Sequence, residues 1–300
     1  MMNDALLHRL DHVTILAPLG LRFWDVVFNI PVTDGLRVTA YPLNNPARRV
    51  QGVPNRSGAY VLHNLPGLRA VENGAGDAEF WANLPLRQPF VVEVVDNYRR
   101  FQPFLFSINL PAKGLSTLEC VPGSPPDAEL PGIPLYSAPT RPVPGAMAVL
   151  RATLTVPDPG DPLAVVSAAW AMLEVQVVGH PPVRGLADAE GRIAVIFPYP
   201  EPVDFADDPE SPVSLAAGAP LTAQIWPVRL YATYTLLDAV PPIPDLCATL
   251  MQSPAELWLD STRTQQLTEV SLKFGEELVV RSIDSASGTL LPNLFITPAI

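Results

Sequence analysis

The sequence predicts an all-β protein: two tandem β-sandwiches, a Pro-rich linker between them, and a β-rich C-terminal extension with one short helix. Three observations carry that reading. The chain has 36 prolines in 300 residues. Proline is excluded from helix interiors and central strands, so loops and short elements must dominate. Short apolar runs alternate with period two, as in Leu36-Arg-Val-Thr-Ala-Tyr41 and Leu173-Glu-Val-Gln-Val177. One unit of strand, tight turn and strand also occurs twice.

The clearer copy spans residues 183–197. Asp188-Ala-Glu-Gly191 opens with a carboxylate that accepts from backbone amides two residues on. It closes with a glycine, which takes φ > 0 at little cost. Residues 192–197 return as a strand. Residues 50–61 repeat the pattern: Gly52 and Gly58 are spaced as Gly185 and Gly191 are, and Asn55 stands where the second copy has Asp188.

The remaining elements follow in order. Residues 1–10 suit a helical turn with Leu6, Leu7 and Leu10 on one side. Residues 12–19 read as a strand, and 21–28 as a buried strand anchored by Trp24. Asp34-Gly35 turns the chain into the strand at 36–41, and residues 59–63 are its return. Residues 74–77 read as a loop. Residues 89–95 and 101–109 are strands about an Asp96-Asn97 turn. Eight prolines then fall between Cys120 and Pro144, so that stretch is expected to form a linker or strap without regular secondary structure. The units are therefore 1–119, the first sandwich; 120–145, the linker or strap; and 146–300, the second sandwich with its extension. In the second unit, 148–156, 168–178 and 192–197 read as strands, and 198–220 as an acidic, proline-rich insertion. Residues 222–236 read as one strand, or two with a break at Pro227. Residues 244–252 are the best helix, with Pro244 and Asp245 in its first turn. Short strands follow at 256–259, 269–274, 277–282 and 294–297.

Composition sets limits on function. Three hundred residues suit roughly two domains. A hydrophobic share of 48 % against a charged share of 16 % belongs to a folded chain. The net charge of −11 argues against nucleic acid and against purely electrostatic binding to anionic membranes. No run approaches the ~20 apolar residues of a spanning helix. The N-terminus carries an acid, Asp4, where a signal peptide has bases, so cytosolic synthesis without a signal peptide is expected. Cys120 and Cys247 could pair, but one pair is not a disulfide framework. They are read as free core residues of a reducing compartment.

No residue set points to catalysis or to a cofactor. The histidines, His8, His12, His63 and His180, lack zinc-site spacing. There is no Gly-x-Ser-x-Gly elbow, Cys–His signature or phosphate loop. Asp204, Asp207, Asp208 and Glu210 form the one carboxylate cluster. They could offer oxygens to Ca²⁺, but a solvated acidic loop is the favoured reading. Trp24, Trp81, Trp170, Trp226 and Trp258 are spread over the chain, which suits core or interface anchors better than a sugar platform.

Gly185-Leu-Ala-Asp-Ala-Glu-Gly191 followed by an apolar strand resembles the Gly…Asp-x-x-Gly turn of carboxypeptidase regulatory-like, transthyretin-like β-sandwiches. Leu65-Pro-Gly67 is similar to the Leu-Pro-x-Gly that often follows it. The first copy departs from the pattern at Asn55-Arg-Ser-Gly58. This resemblance implies Ig-like or transthyretin-like sandwiches that stiffen, space or display other domains. A second resemblance covers the whole chain. Leu19-Gly-Leu-Arg-Phe-Trp24, Phe80-Trp81, residues 90–96 and Arg100-Phe-Gln-Pro-Phe104 resemble accessory structural proteins of phage-tail-like contractile injection systems. It implies a non-enzymatic structural or adaptor subunit of a multi-protein particle, assembled in the cytosol and later released or anchored. Its partners would be other subunits, with a homo-oligomer also open. The alternative from another class is a module that binds carbohydrate or another small ligand.

Overall fold

The computed structural model describes residues 15–83, 87–120, 131–161, 164–177, 179–201 and 221–299. The expected N-terminal helical turn, the start of the strand at 12–19, and most of the acidic insertion lie outside them. The fold is all-β, with a few short helices.

The first unit has two layers. One runs Val50–Gln51, Leu36–Pro42, Gln88–Asp96, Phe104–Leu110. The other holds Leu115–Ser116, Leu19–Leu21, Tyr60–Leu62 and Val53–Pro54, beside a three-stranded group of Ile133–Leu135, Phe23–Asp25 and Ile30–Val32. Alternation places Val38, Ala40, Phe90, Val92, Val94, Phe104 and Phe106 on the inner face of the first layer. Leu19, Leu21, Phe23, Tyr60 and Leu62 meet them from the other, all buried. Burying each large side chain contributes about 1.5–3 kcal/mol, which makes this face the main source of stability.

The second unit repeats the main pairings of the first and adds a strand, Pro254–Trp258, between its central strand and its last one. In each, the first strand pairs antiparallel with the strand after the tight turn: Leu19–Leu21 with Tyr60–Leu62, and Met147–Pro157 with Arg192–Pro198. The strand before the turn pairs antiparallel with a long central strand: Leu36–Pro42 with Gln88–Asp96, and Met172–Val177 with Ile225–Thr233. The central strand then pairs with an edge strand, Phe104–Leu110 or Glu269–Lys273. Two later strands run parallel to the first strand or, for Ile133–Leu135, to the Phe23–Asp25 strand that follows it. They are Leu115–Ser116 and Ile133–Leu135 in one unit, Leu278–Val279 and Leu294–Pro298 in the other.

Two details differ from the sequence reading, and one alternative that it left open is resolved. The Pro-rich stretch was expected to lack regular structure, yet Ile133–Leu135 is a strand parallel to Phe23–Asp25, with Ile133 and Leu135 fully buried. It lies at a sheet edge, where Pro134 removes no ladder bond. Ile225–Thr233 runs unbroken through Pro227. Pro227 pairs with Ser271, and because Leu230 N–H donates to Thr268 O, ladder parity makes 227 and 271 a non-hydrogen-bonded pair, so the missing N–H costs no bond to that strand. Two helices, Arg69–Glu72 and Ala78–Ala82, accompany the expected one at Leu246–Leu250. The second starts in the stretch read as a loop, where Asp77 accepts from Phe80 N–H at 2.8 Å and caps it.

Candidate functional site

The repeated turns are built as their residues predict. The Asp188 carboxylate accepts from the N–H of Glu190 at 3.0 Å and of Arg192 at 2.9 Å, and Gly191 sits at φ 76°. Asn55 does the same for Ser57 and Ala59, both at 3.0 Å, with Gly58 at φ 77°. Gly52 and Gly185 lie where the backbone crosses a neighbour closely. A Cβ on Gly185 would stand 2.8 Å from Val195 Cγ2, and one on Gly52 3.1 Å from Leu62. Arg192 donates to Asp188 Oδ2 at 2.8 Å, and that carboxylate holds its guanidinium above the ordinary range.

The same turn occurs twice more, with arginine in the left-handed position. Asp96 accepts from Tyr98 and Arg100 N–H, with Arg99 at φ 56°. Asp260 accepts from Thr264 N–H at 3.0 Å, with Arg263 at φ 57°. Sequence reading placed a turn at Asp96-Asn97 without seeing its likeness to the repeated one, and it missed the turn at Asp260, because it keyed on glycine at the fourth place. Only the Asp four residues before Arg100 and Thr264 signals them. Asp260 also accepts from the Thr262 and Thr264 hydroxyls, led by Thr262, and these bonds hold its carboxyl well below the usual range. Asp284 nearby is lowered chiefly by the Ser287 hydroxyl. These bonds order the loops at 260–265 and 284–289.

The junction between the sandwiches is the most elaborated part of the molecule. Residues 234–268 are inserted between the central and edge strands of the second unit, where the first has only 97–103. The insertion lies along the first unit's edge. Leu105 N–H donates to Pro244 O at 2.9 Å, and Leu105 and Asp245 form a parallel bridge. The helix Leu246–Leu250, capped by Asp245 accepting from Ala248 N–H, puts Leu246 fully into the first core beside Trp170, Met172 and Leu186 of the second unit. Trp170 Nε1 donates to Pro241 O at 3.1 Å. Cys120 and Cys247 are joined as a disulfide with Cα atoms 4.9 Å apart. That corrects the expectation of two free core cysteines. The insertion, invisible to pattern reading, brings together residues 127 apart in sequence.

The strap is fixed by a buried ion pair. Arg141 Nη2 lies 2.5 Å from Asp25 Oδ2, its Nη1 donates to Ser137 Oγ at 3.0 Å, and its guanidinium stacks on Phe101 at 4.7 Å. No periodicity in the sequence marks this pair.

Of the other candidate residues, His180 and Trp226 come together, lining an open cavity of about 430 Å³ with Pro200 and Glu201. His63 stands in the first unit, 3.9 Å from Glu72. Asp204, Asp207, Asp208 and Glu210 lie outside the described residues, as do His8 and His12. Among the described residues no group of three His, Cys, Asp or Glu gathers to hold a metal ion. Each tryptophan spends its indole N–H on a local partner: Asn29 for Trp24, Gly76 for Trp81, Glu201 for Trp226, Thr297 for Trp258. They form no platform. An open groove of about 790 Å³ runs beside the exposed Tyr231 on the second unit. Its three carboxylates are engaged: Glu174 by Arg184 at 2.7 Å, Glu256 by Gln266 at 2.7 Å and Glu269 more loosely by Arg229 at 3.9 Å.

No protein-family profile matches the chain, and no curated protein matches it. Two solved structures show a loose likeness. A candidate adhesin from Bacteroides ovatus is 10 % identical, with 88 % of this chain and 91 % of that one covered, at a TM-score of 0.20. The C-terminal fragment of the pilus adhesin SpaC from Lactobacillus rhamnosus GG is 10 % identical, with 94 % and 99 % covered, at a TM-score of 0.18. At such scores neither likeness bears on what this chain does.

Proposed function

We propose that the chain is a non-enzymatic structural or adaptor subunit of a multi-protein particle, of the phage-tail-like contractile injection class, and that it acts by docking other subunits on its β-surfaces. The observation that carries this reading is the junction. An insertion, a strap, a buried ion pair and a disulfide all serve to hold two like sandwiches in one fixed relation. A scaffold that positions partners needs that rigidity, and a lone ligand module does not. The disulfide suits a particle that ends outside a reducing interior. A second reading, a module for carbohydrate or another small ligand, draws on the groove beside Tyr231.

Tagging the protein in its host, sedimenting the cleared lysate and imaging the fast fraction decides between them. Co-migration with sheathed tubular particles supports the proposal. A tag that stays at monomer size, with a melting temperature raised by a sugar and not in Tyr231→Ala, supports the ligand module.

A further inference from the structure

We infer that the Cys120–Cys247 bond is a redox-operated latch on the tip of the insertion. Closed, it pins residues 244–250 to the edge of the first sandwich. Reduced, it lets that tip come off while both sandwiches stay folded. This goes beyond the reading of the chain as a docking subunit and holds whatever its partners are.

The argument comes from how the two ends of the insertion are held. Its base belongs to the second sandwich. Tyr234 N–H donates to Ser253 O at 2.9 Å and closes the loop there. Trp170 of the second unit takes both flanks: its Nε1 donates to Pro241 O and its carbonyl accepts from Gln252 Nε2, each at 3.1 Å. The tip belongs to the first sandwich. Leu105 N–H donates to Pro244 O at 2.9 Å, Leu246 is fully buried, and Leu250 packs partly buried against the same cluster. Cys247 sits on the tip helix between these two leucines, and Cys120 follows the strand Leu115–Ser116 of the first unit.

Without the disulfide the tip keeps the main-chain bridge at Leu105 and its buried leucines. Against them stands the backbone entropy of every residue that the tip holds in place. The neck adds little, because Pro241-Pro-Ile-Pro244 has an N–H only at Ile243. A tip released at Leu105 stays attached to the second sandwich through Trp170, so release does not need either sandwich to unfold. Neither cysteine is fully buried, so a small dithiol reaches the bond in the folded protein. One thiolate of the dithiol attacks a sulfur and displaces the other as a thiolate, which takes a proton. The second thiol of the dithiol then resolves the mixed disulfide. Two electrons pass to the protein, which ends with two thiols, and the dithiol ends as its own disulfide. A reducing compartment therefore opens the latch and an oxidising one closes it.

The test is hydrogen exchange, read by mass spectrometry, on the oxidised full-length protein and on the same protein reduced with dithiothreitol. A helix as short as Leu246–Leu250 does not persist without packing, so its amides report the release. Reduction is expected to quicken exchange at 246–252 and at Leu105 at least tenfold, at labelling times when the ladders Leu36–Pro42 and Met172–Val177 are still protected in both states. Reoxidation should restore the slow rate. Cys247→Ser should show the fast rate without reductant, and the reduced unmutated chain serves if that variant misfolds. Equal exchange of the tip in the two states, or exchange of the tip only in step with those ladders, would each overturn the inference. The assay uses purified protein, so its failure is separable from a failure to find the protein on a particle.

Discussion

Replacing Arg141 with alanine should detach the Pro-rich strap from the first sandwich. The guanidinium lies 2.5 Å from Asp25 Oδ2, and its Nη1 donates to Asp25 Oδ1 at 3.2 Å. The two side chains are only 6 % and 5 % exposed, and the cation also stacks on Phe101 and Phe28. Arg141→Ala leaves Asp25 buried with only the Val27 N–H for company. Removing one partner of a buried pair costs roughly 3–5 kcal/mol. An exposed pair such as Lys273 with Glu276 is worth about 0–1 kcal/mol. A loss of about 4 kcal/mol, at roughly 2–4 °C per kcal/mol for a chain of this size, lowers the melting temperature by about 8–16 °C. Urea titration followed by circular dichroism, with linear extrapolation, measures the loss. The double variant Asp25→Asn, Arg141→Met should recover much of it, because no charge is then stranded. A loss below about 1 kcal/mol would refute the reasoning and mean that the strap is held elsewhere.

Other expectations follow from the same contacts. Reducing the Cys120–Cys247 bond should lower stability by roughly 3–5 kcal/mol, because it closes a loop of over a hundred residues. Urea midpoints with and without reductant check this, and titratable thiols in the native, unreduced protein would contradict it. Gly191→Ala should cost more than Gly58→Ala although both sit at positive φ. At 191 the new Cβ lands 2.3 Å from the Leu154 carbonyl oxygen, whereas at 58 it meets the Thr33 side chain. The expected losses are about 3 and about 1 kcal/mol by calorimetry. Asp260 and Asp284 have carboxyl groups held low in the folded chain. They add stability above the unfolded pKa of about 3.9 and lose it as pH falls through their folded values. Amide exchange in 260–265 and 284–289 should therefore stay slow at pH 5 and quicken only well below pH 4. Quickening already near pH 5 would count against those bonds.

Much of the fold could be read from the sequence because its signals are local. Asp188 and Gly191 specify their turn from within five residues, and Asn55 with Gly58 does the same. Period-two alternation located the strand before the turn in each unit, Leu36–Pro42 and Met172–Val177. The exceptions share a cause: they depend on contacts between residues far apart. Pro134 argues against a strand until the parallel partner Phe23–Asp25 is known. Arg141 and Asp25 are 116 residues apart, and nothing near either marks the pair. The cysteines were read by compartment and count, and their pairing depends on where the insertion docks. The turn at Asp260 escaped, and the one expected at Asp96-Asn97 was not seen to match the repeated turns, because arginine takes the left-handed position that glycine usually marks.

The account rests on the two sandwiches behaving as one body. Differential scanning calorimetry of the oxidised protein tests this most directly. The account predicts a single transition whose calorimetric and van't Hoff enthalpies agree, because the sandwiches share a core at Leu246, Trp170 and Met172 and are tied by the disulfide. Two separate transitions, each keeping its midpoint when the other unit is destabilised by Arg141→Ala or Gly191→Ala, would show independent domains and contradict the rigid scaffold.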